Sequence, residues 1–381
     1  MNYRSHKGID VSEIGVGCYS LTGVYGRKDV EEFKEMLNRA HEVGVTFYDT
    51  AEGYGDAERI LGETVRPYRD DIIIATKVGV KEGLKPQLSS EYIRNACNDS
   101  LERLQTGYID LYQVHFDDPQ TPVKETVNAL EDLVSEGKIR FYGVGHLPLE
   151  RVEEYCTAGD VWSILMELSA VSRYSRKTLL PLCQKYLCKG IAFSTTGRGL
   201  LTGKIRKSAF DPADLRNIDA LFQRENFDSG LRIVEKFTEL GAHYGKSCVQ
   251  VALAWVLSQP GILCALTGPS TIPHLEENCG GSGWALSSEH LQELEELFTK
   301  EDEWLKKERL SSIRKILSQK LPEDFSEAFK DLVYVLETSM LLELVEEKEI
   351  LPLFYELFPL QKTQDRRALE DIQKNLHNIL L

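Results

Sequence analysis

Four residues in the first third of the chain have the types that proton transfer needs. Asp49 and Tyr54 lie five residues apart in the segment DTAEGYG, and Lys77 ends the run IIIATK. His115 ends the segment DLYQVH. A tyrosine phenol can give a proton to a carbonyl oxygen, but its ordinary pKa of about 10 makes it slow near neutrality. Because a nearby ammonium group lowers that pKa, the set suits general acid–base chemistry on a carbonyl or an alcohol.

This chemistry gives each of the four residues a role. Tyr54 exchanges the proton, Lys77 supplies the positive charge beside it, and Asp49 pairs with Lys77 and keeps it charged. His115 orients the substrate oxygen through a hydrogen bond. Taken singly, each side chain is better explained by ordinary structure, for example a buried ion pair or a packed aromatic ring. Four such groups at neighbouring strand ends favour catalysis.

Eight β-rich runs, separated by helical patterns, place these residues at strand ends. The run IIIATK is apolar on both faces, as a buried parallel strand is. The predicted strands are Ile14–Gly17, Thr46–Asp49, Ile72–Lys77, Ile109–His115, Arg140–Gly145, Ser163–Glu167, Gly190–Ser194 and Ile262–Thr267. The predicted helices between them are Asp29–Val43, Ser90–Leu104, Pro122–Glu136, Leu149–Ala158, Arg176–Tyr186 and Cys248–Leu257.

The alternation of strands and helices predicts an α/β fold, a (β/α)8 TIM barrel. Eight strands in about 300 residues favour closure of the sheet, and the catalytic groups of such barrels lie at the carboxyl ends of the strands. A doubly wound open sheet is the alternative, and it usually carries the pattern GxGxxG after the first strand. Here the first strand ends in GVGCYS, which lacks the third glycine.

The pattern changes near residue 300. We therefore predict a barrel over residues 1–299 and an all-helical extension over residues 300–381. The extension is interpreted as a bundle that packs on the barrel, a dimerisation element or a lid over the active site. Its predicted helices are Glu303–Lys320, Ser326–Lys348 and Arg366–Leu380, with breaks near Pro322 and Pro359. One helix carries an apolar stripe made of Phe325, Phe329, Leu332, Val333 and Leu336.

Composition limits the function classes. Of the 381 residues, 42% are hydrophobic and 28% are charged, so the chain can form a sizeable core. The formal net charge of −15 argues against a general nucleic-acid binder. The start, MNYRSHKGIDVSE, lacks the apolar run of a signal peptide, and no stretch has the length of a membrane span. We expect a cytoplasmic protein with no membrane or nucleic-acid partner.

The cysteines form no CxxC pair. We interpret them as buried small side chains in a reducing compartment, and a metal site or a disulfide framework is the alternative. They are Cys18, Cys97, Cys156, Cys183, Cys188, Cys248, Cys264 and Cys279.

Several stretches together resemble the aldo-keto reductase family. They are FYDTAEGYGDAERILGE, IIIATKVG, IDLYQVHFDD and GKIRFYGVG, and the similarity covers roughly residues 1–298. Later, GIAFSTTGRGLLTGK and LTGPSTIPHLEEN resemble the family's loops for the cofactor's pyrophosphate and adenosine phosphate. The resemblance implies a (β/α)8 barrel, an extended NADP(H) and reversible reduction of aldehydes or ketones. It also implies the roles given above for Asp49, Tyr54, Lys77 and His115.

The resemblance further implies a set of cofactor-binding residues and no metal ion. Arg198, between two glycines, would supply a charge for phosphate contact. The set is Gly17, Cys18, Asp49, Gly145, His146, Ser194, Gly197, Arg198, Gly199, Gly268, Ser270, Thr271, His274, Glu277 and Asn278.

The chain departs from the family pattern at the nicotinamide contacts. The family usually has Ser-Asn after the fifth strand, where this chain has Gly145 and His146. An imidazole offers one hydrogen bond there, not the paired pattern of an amide. On the sixth strand, the family's Gln and stacking aromatic residue align with Leu165 and Leu168, and a shift of one or two residues would turn Glu167 inward instead.

Two further departures concern the phosphates. The segment 194–196 reads Ser-Thr-Thr where the family usually has Ser-Pro-Leu. The adenosine loop, GPSTIPHLEEN, lacks the usual Arg or Lys for the 2′-phosphate, and an arginine fork suits a phosphate best. NAD(H) and NADP(H) therefore both stay open as the cofactor.

These observations predict an NAD(P)(H)-dependent oxidoreductase acting on a small carbonyl or polyol-like substrate. One alternative is a redox-neutral epimerase or eliminase with a tightly held cofactor and an extra base such as His146 or Glu167. Another is a sensor or scaffold subunit, and a homo-oligomer through the C-terminal helices is a further expectation. Residues that line the pocket by position are Tyr19, Tyr25 and Phe116, and Trp304 either covers the pocket or packs as an ordinary side chain.

Overall fold

Ten strands occur in the computed structural model, which describes residues 1–26, 28–80, 86–211, 214–342, 344–345 and 347–381 without the side chains of 347, 348 and 351. They are β1 (Tyr3–His6), β2 (Ile9–Ser12), β3 (Ile14–Gly17), β4 (Phe47–Asp49), β5 (Ile73–Val78), β6 (Ile109–Val114), β7 (Ile139–Gly145), β8 (Ser163–Glu167), β9 (Lys189–Phe193) and β10 (Ile262–Thr267).

Strands β3 to β10 close into a parallel barrel, in the order β10-β3-β4-β5-β6-β7-β8-β9. This confirms the predicted (β/α)8 fold class and excludes the doubly wound open sheet. Each of the eight predicted strands is present, with its ends shifted by at most one residue. In β5 and β6 every residue is buried, because the barrel interior covers one face and the surrounding helices cover the other.

Side chains fill the interior of the barrel. Several of them come from alternate positions of a strand, such as Ile73 and Ala75 of β5, since successive side chains of a strand point to opposite faces. Removing this apolar surface from water stabilises the closed sheet. The interior cluster comprises Val11, Phe47, Ile73, Ala75, Leu111, Trp162, Leu165, Ile191, Leu263, Cys264 and Leu266.

An amino-terminal hairpin was not predicted. Strands β1 and β2 pair antiparallel, with Tyr3 opposite Ser12. The turn between them has two residues in the left-handed region, Lys7 with φ 45° and Gly8 with φ 80°, which matches the twist of a hairpin. Because Val11 joins the interior cluster, the hairpin closes the amino-terminal end of the barrel.

Helices connect the barrel strands, and all six helices predicted for the barrel are present. The predicted Arg176–Tyr186 begins later, at Leu179, because residues 174–176 form a separate 3₁₀ turn. Helices α2, α7 and α9 were not predicted. The helices of this part are α1 (Val30–Glu42), α2 (Ala57–Val65), α3 (Ser90–Leu104), α4 (Val123–Ser135), α5 (Leu149–Ala158), α6 (Leu179–Lys185), α7 (Arg224–Tyr244), α8 (Cys248–Leu257) and α9 (Ile272–Cys279).

The carboxyl-terminal part is helical, as predicted, but its helices differ from the prediction. They are α10 (Ser288–Ser318), α11 (Phe325–Leu341), α12 (Glu347–Leu357), α13 (Leu360–Thr363) and α14 (Arg366–Leu380). The predicted start at Glu303 is wrong, because the Ser287 side chain caps the helix by accepting from the His290 N–H. The predicted Ser326–Lys348 is also wrong: α11 closes where the Leu344 N–H donates to the Ser339 carbonyl. Residues 343 and 346 of that prediction lie outside the described residues.

The contacts divide the chain into two compact units. The first comprises Met1–Gly203 and Phe237–Leu286, and the second comprises Lys204–Lys236 and Ser287–Leu381. A compact unit need not fold alone, so the domain boundary after residue 299 stays a prediction. The second unit has its own apolar core, and the predicted stripe contributes to it: Phe329, Leu332, Val333 and Leu336 are buried there and Phe325 packs at its edge.

The structure also bears on three smaller predictions. The eight cysteines are free, and all except Cys279 are buried, which confirms their interpretation as buried side chains for those seven. Within the second unit, the guanidinium carbon of Arg232 lies 4.1 Å from the Trp304 ring centroid, a cation–π contact. No helix within the described residues has the length and apolar character needed to cross a membrane. The cytoplasmic location stays a prediction.

Candidate active site

The barrel brings the four predicted acid–base residues to one rim. Asp49 is the last residue of β4, Lys77 is the penultimate residue of β5, and His115 directly follows β6. These three strands are neighbours in the barrel. Tyr54 lies in the turn that leads from β4 to α2. The rim is the carboxyl end of the strands, where (β/α)8 barrels carry their chemistry.

A buried ion pair forms the base of the site. The Nζ of Lys77 lies 2.5 Å from Asp49 Oδ1 and donates a second hydrogen bond of 2.7 Å to the Thr50 carbonyl. Lys77 is 1% exposed, and such a buried charge persists only with partners. The same Nζ lies 4.9 Å from the centroid of the Tyr54 ring. Lys77 is thus fixed between Asp49 and Tyr54.

The two members of the pair respond differently to burial. Burial alone would lower the pKa of Lys77, but Asp49 and Tyr54 outweigh it and raise that pKa above its usual value. Burial raises the pKa of Asp49, and Lys77 offsets part of this effect. Lys77 therefore carries its positive charge at neutral pH.

The pKa of Tyr54 corrects one expectation. Burial raises it to about 12, because the lowering by Lys77 is smaller than the combined effect of burial and Asp49. The sequence led us to expect a lowered pKa, which is wrong for this structure. At neutral pH the phenol is therefore protonated, so it can give a proton but does not exist as phenolate.

His115 is a neutral imidazole beside the phenol. Its ring lies edge-on to Tyr54, with the centroids 5.7 Å apart, and it is 6% exposed. Burial and the charge of Lys77 hold its pKa well below the usual value. Its Nδ1 has no hydrogen-bond partner within the described residues. A neutral imidazole can donate one hydrogen bond and accept another, as orientation of a substrate oxygen requires.

Aromatic rings surround this group. The Tyr19 ring centroid lies 5.0 Å from Tyr54 and 6.2 Å from Tyr25. On the other side, Phe116 lies 4.5 Å from His115. The residues that were expected to line the pocket thus contact the predicted acid–base residues or one another. They are Tyr19, Tyr25 and Phe116.

His146, which follows β7, is the centre of a second aromatic group. Its ring contacts Phe116 at 5.2 Å and Phe193 at 4.8 Å, and it lies 5.7 Å from His115. The backbone at His146 is left-handed, with φ 43°, a conformation that costs energy for a non-glycine residue. The residue as a whole is exposed at the rim, but burial of its imidazole, together with the charges of Lys77 and Arg198, lowers its pKa to about 4. It is a neutral hydrogen-bonding group.

The structure gives Leu165, Leu168 and Glu167, in and just after β8, three different surroundings. Leu165 is buried in the barrel interior against Gly145, where an added Cβ would lie 3.0 Å from the Leu165 Cβ. Leu168 is fully buried. Glu167 is two residues after Leu165, so it shares the inward face and reaches the rim. The inward position for Glu167 is the alternative that the sequence left open.

The loop after β9 holds the residues expected at the pyrophosphate. Four of them have left-handed backbones: Ser194 with φ 54°, Gly197 with φ 57°, Arg198 with φ 52° and Gly199 with φ 94°. The guanidinium of Arg198 forms an ion pair with Glu167, in which Nη1 lies 3.2 Å from Oε1.

The loop after β10 holds the residues expected at the adenosine. Gly268 follows β10, whose barrel neighbour β3 ends at Gly17, so both lie at the same rim. The side chain of Thr271 caps α9 by accepting from the His274 N–H, and Asn278 is buried. Ser270 and Glu277 belong to the same loop and helix. Cys18 is fully buried, and its N–H donates to the Asp49 carbonyl.

The sequence analysis did not predict two polar contacts of the site. Gln113 Nε2 lies 3.5 Å from Asp49 Oδ2, so the second carboxylate oxygen also faces a donor. The pair of Glu167 and Arg198 joins neighbouring strand ends. Strand alternation carried a signal for both, since Gln113 precedes His115 by two residues and Glu167 follows Leu165 by two.

A comparison with protein families supports the fold and the site together. The family described as Aldo/keto reductase family matches residues 13–298. The chain belongs to this family. It is therefore an oxidoreductase, and the matched range contains all four acid–base residues.

The similarity of this aldo/keto reductase to individual proteins supports the family assignment. It is 34% identical over 306 residues to aldo-keto reductase YhdN of Bacillus subtilis, covering 77% of this chain and 92% of the relative. The solved glycerol dehydrogenase AKR11B4 from Gluconobacter oxydans is 29% identical, with a TM-score of 0.72, covering 79% of this chain and 96% of that one. An aldo/keto reductase from Klebsiella pneumoniae, solved with NADP and acetate, is 28% identical with a TM-score of 0.60, covering 77% and 93%.

Proposed function

We propose that this aldo/keto reductase transfers a hydride between a nicotinamide cofactor and a small carbonyl or alcohol, with Tyr54 as the proton donor and acceptor. The observation that carries the proposal is the buried pair of Lys77 and Asp49, 2.5 Å apart, with the ammonium 4.9 Å from the Tyr54 ring. Burying two charges is costly, so their place beside a phenol at the barrel rim is better explained by catalysis than by stability.

The residues at the rim fit most of a nicotinamide cofactor. The glycines and left-handed residues of the loop after β9 allow a diphosphate to approach the backbone. At the nicotinamide end, Leu165 and Leu168 offer no hydrogen bond, and His146 offers one. The chain therefore holds the cofactor mainly through its phosphates. When bound, the cofactor supplies the hydride.

The chain's own residues move the proton and exclude water. Tyr54, protonated at neutral pH, gives its proton to the carbonyl oxygen during reduction and takes it back during oxidation. Lys77 stabilises the phenolate that forms when the proton leaves. His115 orients the oxygen through a hydrogen bond, and Phe116 shields it from water.

For the substrate we propose a small polyol or the matching aldehyde or ketone. The similarity to a glycerol dehydrogenase supports this class. The screen is reduction of glyceraldehyde and dihydroxyacetone, with oxidation of glycerol as the reverse assay, each with NADH and with NADPH. A preference for NADPH would assign NADP(H) as the cofactor, and a preference for NADH would assign NAD(H).

The test of the proton role is Tyr54→Phe. We expect kcat for reduction to fall by about a hundredfold or more, because general acid catalysis contributes at least this factor. The Kd of NADPH or NADH, measured by quenching of tryptophan fluorescence, should change little. The matched control is Tyr19→Phe, which removes a hydroxyl from the neighbouring ring and should keep most of the turnover. Full turnover in Tyr54→Phe would contradict the proposed role.

The redox-neutral alternative is less well supported by the structure. An epimerase needs a second base at the site, and His146 is the nearest imidazole to His115. Its pKa, lowered to about 4, makes it a weak base. Detection of a cofactor that survives purification, together with no net change of its absorbance during turnover, would favour that alternative over the reductase.

A further inference from the structure

The loop after β9 is held in an unfavourable backbone conformation. Two of its left-handed residues, Ser194 and Arg198, are not glycine, so they adopt this region at a cost. Such a conformation persists only where the surrounding structure fixes it. The side chains that fix it therefore determine the loop conformation that a phosphate would meet.

Within the described part of the chain, three contacts with neighbouring segments serve as anchors of the loop, each at a different residue. The Thr195 hydroxyl donates a 2.7 Å hydrogen bond to the Leu266 carbonyl in β10. Gly197 lies so close to Val171 that an added Cβ would be 2.7 Å from its Cγ2. Arg198 reaches the other neighbouring strand, β8, where both of its terminal nitrogens face the two oxygens of Glu167 at 3.2 and 3.4 Å.

The third anchor is the most exposed, and it alone is ionic. The side chains of Arg198 and Glu167 are 25% and 31% exposed, whereas Thr195 is 1% exposed. Because the carboxylate of Glu167 neutralises the positive charge of Arg198, an incoming phosphate gains little net attraction from the guanidinium. The pair uses two of the five N–H donors of the guanidinium, so a phosphate that bound the other donors would lie beside the carboxylate of Glu167 and its negative charge.

We infer that Arg198 is a positioning residue for the cofactor's diphosphate and not a ligand of it: its two-point ion pair with Glu167 holds the left-handed loop in place. The inference rests on the proposed function, because it assigns the way in which the same site holds its cofactor. It replaces the expectation that Arg198 supplies a charge to the phosphate.

The test uses four variants of the full chain: Glu167→Gln, Arg198→Gln, the double variant Glu167→Gln/Arg198→Gln, and the charge swap Glu167→Arg/Arg198→Glu. The readout is the Kd of NADPH, NADH and ADP, the last probing the diphosphate without the nicotinamide. Each single variant should weaken binding about three- to fivefold, the size expected for a partly exposed ion pair. The double variant should be no weaker than either single variant, since both break one interaction.

The charge swap separates positioning from direct contact. With positioning, the swapped pair restores the anchor, so the Kd should return to within about twofold of the parent chain. If the chain folds but the loop is no longer held in its conformation, the Kd of the charge-swap variant would not recover. The control is Glu153→Gln on α5, which removes one negative charge from an ion pair with Lys185 of α6 and should leave every Kd unchanged.

Two results would overturn the inference. Tighter binding in Glu167→Gln, with a charge swap that binds worst of all, would show that Arg198 contacts the phosphate. Unchanged binding in both single variants would show that the pair has no role in the site. A parent chain that binds none of the three compounds would instead overturn the proposed function, and the inference with it.

Discussion

The charges around Tyr54 determine how the proposed reaction depends on pH. Burial sets the pKa of Tyr54 at about 12, and the pKa of His115 lies well below its usual value. Between these values neither group titrates. We expect the rate of carbonyl reduction to be flat between about pH 7 and pH 10, because the phenol stays protonated and the imidazole stays neutral.

The sign of the dependence differs between the two directions. Reduction needs protonated Tyr54, so its rate should fall only as the pH approaches the pKa, whereas oxidation needs the phenolate and should rise with pH. The measurement is kcat against pH in both directions at saturating cofactor. A fall in the reduction rate with a midpoint near about pH 8, absent in Tyr54→Phe, would show that the pKa is lowered and not raised.

At the scale of residues, the sequence predicted which side chains meet but not their protonation. Asp49, Lys77 and His115 could be placed together because strand ends of a barrel share one rim. The pKa of Tyr54 could not be predicted, because burial depends on side chains that pack from elsewhere, such as Tyr19. The pair of Glu167 and Arg198 was missed because it depends on how a loop folds back.

At the scale of elements, the contact between α2 and α3 depends on a glycine. A Cβ at Gly62 would lie 2.3 Å from the backbone oxygen of Leu104, so the helices would have to separate. We expect Gly62→Ala to lower the free energy of unfolding by about 1–3 kcal/mol, despite the better helix propensity of alanine. The measurement is urea unfolding followed by far-UV circular dichroism.

A second glycine provides the matched control. Gly107, just beyond α3, has nothing within 4 Å of an added Cβ. Gly107→Ala should change the free energy of unfolding by less than about 0.5 kcal/mol. Equal stability of the two variants would mean that α2 and α3 can move apart without cost.

The elements themselves were predictable to different degrees. Barrel strands such as β5 were located to within one residue, because continuous apolar runs bounded by polar residues fix their limits. The hairpin of β1 and β2 was missed, since its strands are short and mostly polar on one side. The start of α10 was missed because the cap at Ser287 precedes a polar first turn.

At the scale of the whole molecule, the second compact unit has a core of its own. Leu332 is fully buried in that core, on α11. We expect Leu332→Ala to lower the free energy of unfolding by about 2–5 kcal/mol through lost burial and a residual cavity. Leu341 ends the same helix and is 42% exposed, so Leu341→Ala should cost less than about 0.5 kcal/mol.

Urea unfolding of both leucine variants tests this core directly. A loss in Leu332→Ala no larger than in Leu341→Ala would mean that the α11 stripe contributes little to stability. The stripe was predictable because apolar residues recur at helical spacing. The division into units was not, because residues 204–236 join the carboxyl-terminal helices through contacts distant in sequence.

The cysteines give this molecule a practical property. Seven thiols are buried, and Cys279, at the end of α9, alone is partly exposed. Burial raises the pKa of Cys279 to about 11, so a maleimide dye would attach slowly but selectively there in the native chain. The same helix begins at the Thr271 cap of the adenosine loop. A fluorophore on the natural sequence, with no substitution, would thus stand on the helix that the nucleotide is expected to touch.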